Sequence, residues 1–541
     1  MMNFRIIKFR ISYFIFHIMF PILQQAAQYW LAMQQFRNQR DRCKRYTFGD
    51  QWHDRICVDG QWMTEEEYIR QQGNEPLKNN LIRRLVRNVV GLYRSQQSAN
   101  YSASSPQSAT ISPSLGGGRG EVSITPSLGG GRGEVSISPS LGGGRGEAYL
   151  LEARALEEFL ISGLAVVRKS FGNRHAVVGC WTDLVSPGSF FIDNRMRDPR
   201  GWDVSCLGEL HDLTFAALCR HFAKSPDDVK HLQRIYAAHD YDDRIADAAR
   251  AFGQYQPMAD FFHPKGNLCR VVEVWRLEQQ ERYLCHDTAA GDLFWVDADD
   301  YPSVVTAENE RRINLGRRHG KKKQEVALIQ SQWDIGEQWH YYFLSPFGDV
   351  LQEGVSPYAD GGHPYVFKAY PFIDGEIHSF VADLIDQQRY TNRLITLYDW
   401  IMRSSAKGVL LVPEESIPDG YSLADFADEW ARFNGVIAIR TKNGAQMPQQ
   451  VAMNATNVGI KDLLQTQLNF FEDISGVAGV LQGKRDNNSN NASLFAYQTN
   501  NATLSLLDIL ETFRSFVEES HLKDQQLYRQ FGTHFSNSIS L

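Results

Sequence analysis

The run from His239 to Asp243 (HDYDD) is the first place where the sequence could support chemistry. Imidazole and carboxylate side chains bind divalent cations, so the run suggests a nucleic-acid-processing metalloenzyme as one possible function. Catalytic metal ligands usually converge from separate elements, whereas adjacent residues point in several directions. The run is therefore more typical of an acidic helix start, and the metalloenzyme remains an alternative interpretation.

Other signatures of catalysis or cofactor binding are missing from the sequence. It contains no HExxH, no GxSxG and no glycine-rich dinucleotide loop. We interpret His211 and Asp212 as a neutral surface pair, and no partner is identifiable for Asp299 and Asp300. The sequence therefore predicts a protein that is not an enzyme, with no catalytic residue, no cofactor and no metal.

Three copies of PSLGGGRGE, starting at Pro113, Pro126 and Pro139, repeat with a period of 13 residues. GGGRGE resembles a phosphate-binding loop but lacks the Lys-Ser/Thr that a Walker loop requires. The repeat is too short for a solenoid unit and too rich in glycine to form a packed core. Residues 95–147 are therefore predicted to be a Gly/Ser-rich disordered insertion.

The strongest positive run lies near the middle of the chain. It contains Arg317, Arg318, Lys321, Lys322 and Lys323. Such runs bind nucleic acids or acidic protein surfaces, and they also form solvated helix ends. The whole chain is acidic, with 56 Lys and Arg against 63 Asp and Glu and a net charge of −7. Since proteins that grip phosphates tightly are usually basic, any contact with DNA should be loose.

A polar interruption divides a long predicted helix between Glu376 and Ser404. The interruption, DQQRYTNR, includes Gln387, Gln388 and Asn392 and separates two apolar stretches that share one helical face. A helix of roughly 30 residues spans about 45 Å and is unstable without a neighbour along its length. Side-chain amides can hydrogen-bond across an interface, so this pattern favours packing between the subunits of a ring.

A polar loop, GKRDNNSNNAS, separates two strong helical patterns near the C-terminus. Asn and Gly dominate the loop, which excludes it from a core, and mobile polar loops between helices are often functional. Its distinctive residues are Lys484, Arg485, Asn487, Asn488, Asn490 and Asn491.

The N-terminus resembles a signal peptide without completing one. Three basic residues precede an apolar run within residues 1–23, but no small-residue cleavage site follows and the run is short for a membrane span. We interpret residues 1–28 as an N-terminal extension translated upstream of a working start at Met33. A membrane-anchored structural protein is the second alternative. The seven cysteines contain no CxxC pair, which argues against a zinc site or a disulfide framework.

The remaining patterns predict an α+β chain. Leu77, Leu81, Leu85, Val89 and Leu92 form a helical stripe. Ser225 and Pro226 are typical of a helix start. RVVEVWRLEQQERYLCHD alternates apolar and polar residues and is predicted to form a pair of strands. Aromatic strand patterns follow at about 324–374, and helices at roughly 457–475 and 493–531.

In this order, the parts resemble the portal proteins of tailed bacteriophages, most closely the podovirus type. RDRCKRYTFGDQW and NNLIRRLVRNVVG resemble the family's N-terminal wing helices, and LEEFLISGLAVVRK resembles its wing. DLIDQQRYTNRLI resembles a stem helix, with Gln388 and Asn392 at the family's Gln and Asn positions. ISGVAGVLQG with NNSNNAS resembles the entrance to the tunnel loop. The 13-residue repeats and the short C-terminus depart from the family.

The resemblance implies a portal fold around a central channel, with a helical wing, an α-helical stem, a β-rich clip and a long C-terminal helix. The implied divisions are N-terminal wing helices 29–94, wing domain 148–301, first stem helix 302–323, clip 324–374, second stem helix 375–405, wing and tunnel-loop helix 406–482, tunnel loop 483–492, and a C-terminal helix with a shortened crown 493–541.

The resemblance also implies partners. The chain would form a homo-oligomeric ring, usually of twelve subunits, at the portal vertex of the virion capsid, after assembly in the host cytoplasm from a phage or prophage gene. The terminase large subunit and later the head-completion or adaptor proteins would dock on the clip, and the major capsid protein on the wing. Double-stranded DNA would pass the tunnel loop without sequence specificity during packaging and ejection, and no membrane is involved. Gln387, Gln388 and Asn392 would contact the next subunit.

Overall fold

The computed structural model describes most of the chain outside the repeats. The described residues are 21–104, 145–174, 177–236, 255–264, 266–319, 326–407, 409–413, 417–418, 420, 422–431, 439, 449–451, 459–477, 504 and 506–532. The 13-residue repeats thus lie almost entirely outside the described residues. Helices and strands are mixed along the chain, which confirms the predicted α+β class.

The helices, in chain order, are α1 (residues 21–32), α2 (Gln34–Phe48), α3 (Glu65–Gln71), α4 (Leu81–Ser104), α5 (Arg145–Ser162), α6 (Phe215–Phe222), α7 (Pro226–Tyr236), α8 (Tyr255–Phe262), α9 (Ala307–Arg318), α10 (Ile385–Lys407), α11 (Leu423–Ala431), α12 (Ile460–Ser475) and α13 (Leu507–Leu527). The strands are β1 (Arg55–Val58), β2 (Gln61–Thr64), β3 (Leu164–Arg174), β4 (Val177–Leu184), β5 (Phe190–Ile192), β6 (Cys206–Leu213), β7 (Cys269–Asp287), β8 (Asp292–Asp297), β9 (Ile329–Leu344), β10 (Val350–Val355), β11 (Tyr365–Ala369), β12 (Pro371–Ile373), β13 (Glu376–Ile377), β14 (Val409–Leu411) and β15 (Gln449–Val451).

The chain folds into two compact units. Unit 1 comprises Met1–Asp41, Val90–Ser379 and Leu507–Leu541, and unit 2 comprises Arg42–Val89 and Phe380–Leu506. The described residues of unit 1 form three antiparallel sheets. The first has the order β10-β9-β7-β6-β5 plus β8 on β7, the second has the order β11-β3-β4, and the third is the pair β12-β13. Helices α5 and α13 pack against strands of the second sheet.

Strand β7 organises the larger sheet. It pairs with β9 from Val272 to Asp287, a ladder of roughly 50 Å at about 3.4 Å per residue. Its first half also pairs with β6 and its last residues pair with β8. The predicted pair of strands is therefore a single strand, since its polar centre continues the ladder instead of turning. The predicted wing (148–301) and clip (324–374) contribute neighbouring strands to this one sheet.

Helix α1 belongs to the core of unit 1. Ile22, Leu23, Tyr29 and Trp30 are each at most 6% exposed and pack in one cluster with side chains from β3, β5, β6, β7, β9 and β11. These residues, several of which fall within the predicted extension 1–28, therefore face the sheets of unit 1. The leader-like basic and apolar run of residues 1–23 lies outside the described residues except for 21–23. No helix in the described part of the chain is long and apolar enough to cross a membrane.

Unit 2 combines helices with two pairs of short strands. Strands β1 and β2 form a hairpin, and β14 and β15, which are far apart in the sequence, form a two-stranded antiparallel pair. Thr64 and Glu67 form a reciprocal capping box at the start of α3. Helix α10 packs along α12. It begins at Ile385, later than the predicted Glu376, because Glu376 and Ile377 form β13 and Ala382–Leu384 form a 3-10 turn.

Candidate functional site

The amides of Gln388 and Asn392 lie on the buried face of α10, one helical turn apart. Gln388 is 0% exposed and Asn392 is 1% exposed. The Gln388 Oε1 atom accepts hydrogen bonds from the backbone N–H groups of Leu81 (2.9 Å) and Ile82 (3.3 Å) at the start of α4. Those N–H groups have no partner within their own helix, so Gln388 caps α4 from a distant part of the sequence.

The other amide atoms complete a network within unit 2. The Gln388 Nε2 atom donates to the Asn79 carbonyl (2.7 Å) and to Asn392 Oδ1 (3.0 Å). Asn392 Oδ1 accepts from the Asn79 N–H (3.0 Å), and its Nδ2 donates to Gln51 Oε1 (2.7 Å). Gln388 thereby uses both lone pairs and both N–H groups. These two amides, which were expected to reach a neighbouring subunit, are bonded inside one chain.

Gln387 differs from its neighbour. It is half-buried, and its Oε1 atom is buried without a hydrogen-bond partner among the described residues. Of the three predicted amides, it is the one whose carbonyl oxygen forms no bond to the described residues.

Replacing Gln388 with Ala should destabilise unit 2 by roughly 1–3 kcal/mol, because the buried N–H of Ile82 loses its acceptor and the N–H of Leu81 keeps only the Asn79 carbonyl (2.9 Å). Urea unfolding of the full chain measures this change. Gln387→Ala is the matched control and should change the unfolding free energy by less than about 1 kcal/mol, since its Oε1 has no bond to lose. Equal effects of the two substitutions would contradict the assigned capping role.

Charged side chains fix the same helix to the N-terminal hairpin. Arg389 and Arg393 both bond to Glu65, whose side chain is 3% exposed. Asp54 accepts from Arg42 (2.8 Å) and Arg45 (2.9 Å). Burial alone would raise the pKa of Asp54, but hydrogen bonds from these guanidinium groups outweigh it and lower the pKa. The inner side of α10 is therefore held by both amides and ion pairs.

The outer side of α10 presents apolar side chains to solvent. Tyr390, Leu397 and Trp400 share one helical face and are 42%, 41% and 49% exposed. A second apolar stripe lies on the neighbouring helix α12, where Leu463, Phe470 and Ile474 are 39%, 47% and 47% exposed. Sequence reasoning assigned the apolar residues of α10 to a single face. The helical spacing of Tyr390, Leu397 and Trp400 could have shown that these three residues form a second stripe, apart from that face.

The remaining predicted residues divide into two groups. Arg317 and Arg318 are exposed at the C-terminal end of α9. The others lie outside the described residues; they are His239 to Asp243, Lys321, Lys322, Lys323, Lys484, Arg485, Asn487, Asn488, Asn490 and Asn491.

A buried ion network in unit 1 was missed by sequence reasoning. Glu209 on β6 lies directly opposite Glu273 on β7, a like-charge pair that is unfavourable on its own. His211 Nε2 lies 2.7 Å from Glu273 Oε2, and Arg168 lies 3.0 Å from the same oxygen. Trp275 Nε1 donates to Glu273 Oε1 at 2.7 Å. The one signal in the sequence is a lone glutamate inside the apolar run VVEVW.

This network corrects the interpretation of His211 and Asp212 as a surface pair. The two side chains follow each other on β6 and therefore point to opposite faces, His211 toward Glu273 and Asp212 toward Arg270 (2.6 Å). Burial disfavours a charge on His211, but its bond to Glu273 outweighs burial and raises the pKa. Burial would likewise raise the pKa of Glu273, yet Arg168 and His211 lower it to about 2.

Glu209, His211 and Glu273 also have the spacing of three metal ligands, since their ligand atoms all lie within 4.8 Å of one another. The donor set argues against a cation there. Protonated His211 and Arg168 already balance the two carboxylates, so a divalent ion in place of the His211 proton would leave a net positive charge in a buried place. Glu273 also has its two oxygens bonded to Trp275, His211 and Arg168. The network is therefore structural.

The stability of unit 1 should be greatest in mildly acidic solution. The charge on Glu273 stabilises the fold above its ordinary pKa of 4.5, and this contribution is lost as the pH falls toward about 2. Protonated His211 stabilises the fold below its ordinary pKa of 6.5, and this contribution is lost as the pH rises through the raised value. Burial raises the pKa of Glu209, so the stability that its protonated form contributes is lost as the pH rises from 4.5 through the raised value.

Urea unfolding between about pH 3 and pH 9 measures this dependence. His211→Gln should flatten the decline above pH 6.5, because it removes the group that titrates there. An unchanged alkaline slope in that variant would contradict the role assigned to His211.

The described residues form amide and ion-pair networks that hold helices and strands together. They also leave apolar stripes exposed on α10 and α12. Comparison with known families agrees with this structural character. The sequence model of the phage P22-like portal protein family matches residues 152–517, more than half of the chain. The portal protein family is a structural family. The chain belongs to the phage P22-like portal protein family. A search of curated proteins found no match.

Proposed function

We propose that this chain forms a homo-oligomeric ring, with twelve copies as the expected number, at one vertex of a phage capsid. The ring acts as a podovirus-type head-to-tail connector through which double-stranded DNA is packaged and later ejected. The family match over residues 152–517 carries this proposal. Once assembled in the host cytoplasm, or from a prophage copy, the ring becomes part of the virion.

The partners follow from the same proposal. The terminase large subunit, and later the head-completion or adaptor proteins, dock on the clip close to Arg317 and Arg318, and the major capsid protein contacts the wing. DNA passes the loop at 483–492 without sequence specificity. The net charge of −7 supports loose contact, because several tight phosphate contacts would slow the movement of DNA through the channel.

The subunit contact along the stem uses the outer stripe of α10. Tyr390, Leu397 and Trp400 are exposed in the isolated chain, and an apolar stripe of this kind is typical of a helix that packs against a partner. Gln388 and Asn392 support the contact from behind by fixing the helix. The contact of Gln387 with the next subunit remains part of the proposal. The α10 stripe of one copy can pack against the different stripe on α12 of the next copy. Such a head-to-tail contact produces a ring when the rotation between successive copies closes.

Negative-stain imaging and sedimentation of the purified full chain test the proposal. Closed rings with a central hole are expected, and a monomer at high protein concentration would overturn it. Trp400→Asp should reduce the fraction of rings without lowering the melting temperature of the monomer, since Trp400 is 49% exposed. Trp62→Asp is the matched control, because Trp62 is 69% exposed on β2 of the same unit and should leave assembly unchanged.

A further inference from the structure

Helix α13 is held to the sheets of unit 1 by lysine–carboxylate pairs that differ in their exposure to water. Lys368 on β11 lies 2.6 Å from Glu519, and the carboxylate of this pair is exposed. Lys169 on β3 lies 2.7 Å from Asp524, and these two side chains are only 1% and 2% exposed. Water therefore reaches the first pair, whereas the second pair is closed off from it at both ends.

The hydrogen bonds of the buried pair are incomplete. The Lys169 Nζ atom donates to Asp524 Oδ2 and to Thr182 Oγ1, at 2.7 Å each. The other carboxylate oxygen, Asp524 Oδ1, is buried without a hydrogen-bond partner among the described residues. A buried carboxylate oxygen that accepts no hydrogen bond destabilises the anion. The Asp524 carboxyl group is thus fixed in position but poorly stabilised as a charged group.

A cavity of about 40 Å³ adjoins the pair. Phe516 and Val517 provide part of its apolar wall, and Glu152 on α5 and His521 on α13 also line it. Glu152 Oε1 lies 3.5 Å from His521 Nε2, so the two groups can exchange a proton. A water molecule needs a cavity of roughly 10–15 Å³ or more, and this cavity therefore has room for at least one.

Burial favours the uncharged form of both partners. Loss of solvation lowers the pKa of Lys169 and raises the pKa of Asp524, although the attraction between the two groups opposes both shifts. The two shifts favour transfer of a proton along the hydrogen bond from Nζ to Oδ2. The result is a neutral amine beside a neutral carboxylic acid. A neutral amine has a free electron pair and is a nucleophile, whereas an ammonium ion is not.

The amine nitrogen lies close to the carbon atom that it would attack. A carbon–oxygen double bond is about 1.23 Å long, so a nitrogen 2.7 Å from Oδ2 lies within about 4 Å of Cγ. Reacting atoms in productive arrangements lie about 3–3.5 Å apart. Rotation about the side-chain bonds of Lys169 spans the difference. Oriented groups of one molecule react as if their concentration were about 10⁵–10⁸ M, which favours bond formation.

We propose that Lys169 and Asp524 form an amide bond spontaneously, which cross-links β3 to α13 within one chain. The Nζ electron pair forms a bond to Cγ, the bond from Cγ to Oδ1 breaks, and this oxygen leaves as water. Glu152 relays a proton from the nitrogen to the departing oxygen, and the cavity receives the water. One ammonium and one carboxylate yield one amide and one water molecule, so no oxidant, nucleotide or other reactant is required.

The cross-link would change how unit 1 unfolds. It joins the C-terminal helix to a strand from an early part of the chain, and it closes the long segment between them into a covalent loop. Such a closure restricts the unfolded state, and α13 could then separate from the sheet only if a covalent bond broke. Because bulk water has little access to the pair, hydrolysis of the amide is disfavoured. The reaction does not depend on ring formation, so the proposed function and this inference stand or fall separately.

The intact mass of the unaltered full chain, measured under denaturing conditions after prolonged incubation at neutral pH, tests the proposal. The expected mass is that of the sequence less one water molecule. Trypsin should release residues 169–174 joined to residues 524–529, because it cannot cleave after an amidated Lys169. The full sequence mass after incubation, with residues 170–174 and 524–529 released separately, would overturn the proposal and show a permanent ion pair.

Substitutions assign the lost water to this pair. Lys169→Met and Asp524→Ala should each keep the full sequence mass. Lys368→Met is the matched control, because it removes the pair with the exposed carboxylate on the same helix and should still lose one water molecule. Loss of water from Lys169→Met to the same extent as from the unaltered chain would overturn the proposal. Poor folding of a variant does not affect the first test, which uses the unaltered chain.

The rate of cross-linking tests the role of Glu152. Glu152→Gln keeps the shape of the side chain but cannot relay a proton, so the joined peptides should appear about a hundredfold more slowly in freshly synthesised chain. A rate equal to that of the unaltered chain would overturn the proton route through Glu152.

Discussion

A chain that starts at Met33 should fail to form a stable unit 1. It lacks Ile22, Leu23, Tyr29 and Trp30, each at most 6% exposed in the main core. Burial of a large apolar side chain contributes about 1.5–3 kcal/mol, so four of them contribute roughly 6–12 kcal/mol. That sum is comparable to the whole stability of a typical domain, about 5–15 kcal/mol.

The truncation also removes the partner of a buried cation. The Arg37 guanidinium lies 3.6 Å from the Trp30 ring, and its side chain is 7% exposed. Burial lowers the pKa of Arg37 to about 10, so its charge is already disfavoured and depends on its neighbours. Without Trp30, this charge would lose its contact with the aromatic face.

Thermal unfolding followed by circular dichroism, with soluble yield as a second measure, tests the truncation. A chain that starts at residue 21 is the control and should unfold close to the full chain, because it keeps every named core residue. A Met33 chain that unfolds cooperatively within a few degrees of the control would show that α1 is dispensable.

Glu273→Gln should be among the most damaging single substitutions in unit 1. The substitution keeps the shape of the side chain but removes the negative charge that pairs Arg168 and His211 at 3.0 Å and 2.7 Å. Glu273 is 0% exposed, so water cannot replace the lost charge. Removing one partner of a buried ion pair costs about 3–5 kcal/mol, and a loss of that size is expected here.

Urea unfolding at neutral pH measures the Glu273 effect. Glu337→Gln is the matched control, since Glu337 is exposed on the adjacent strand β9 and should change stability by less than about 0.5 kcal/mol. Similar values for the two variants would mean that Arg168 and His211 do not depend on Glu273.

Local patterns predicted many elements correctly. Helix α7 begins at Pro226 after the Ser225 cap, and the alternation of β7 placed a strand at its observed position. Helix α1 (21–32) crosses the boundary that was predicted at residue 28, because no local pattern indicates that Leu23 and Trp30 pack against the sheets.

The partners of Gln388 were beyond sequence reasoning. Its amide is bonded to Asn79, 309 positions earlier in the chain, and no local periodicity connects the two. The polar interruption correctly marked amides that form hydrogen bonds, but it could not indicate whether their partners lie in the same chain. The buried Glu273 was similarly out of reach, since Arg168 and His211 come from other strands.

Phe513 on α13 contacts both sides of the 13-residue repeats. Its ring lies 5.3 Å from that of Tyr93 on α4 and 5.7 Å from that of Phe159 on α5, between centroids. The segments before and after the repeats therefore pack against the same side chain. The entropic cost of closing the loop between them rises by only about 0.6 kcal/mol each time the loop length doubles. Gain or loss of a repeat copy by replication slippage would therefore leave stability almost unchanged, so copy number is free to drift between related phage genomes.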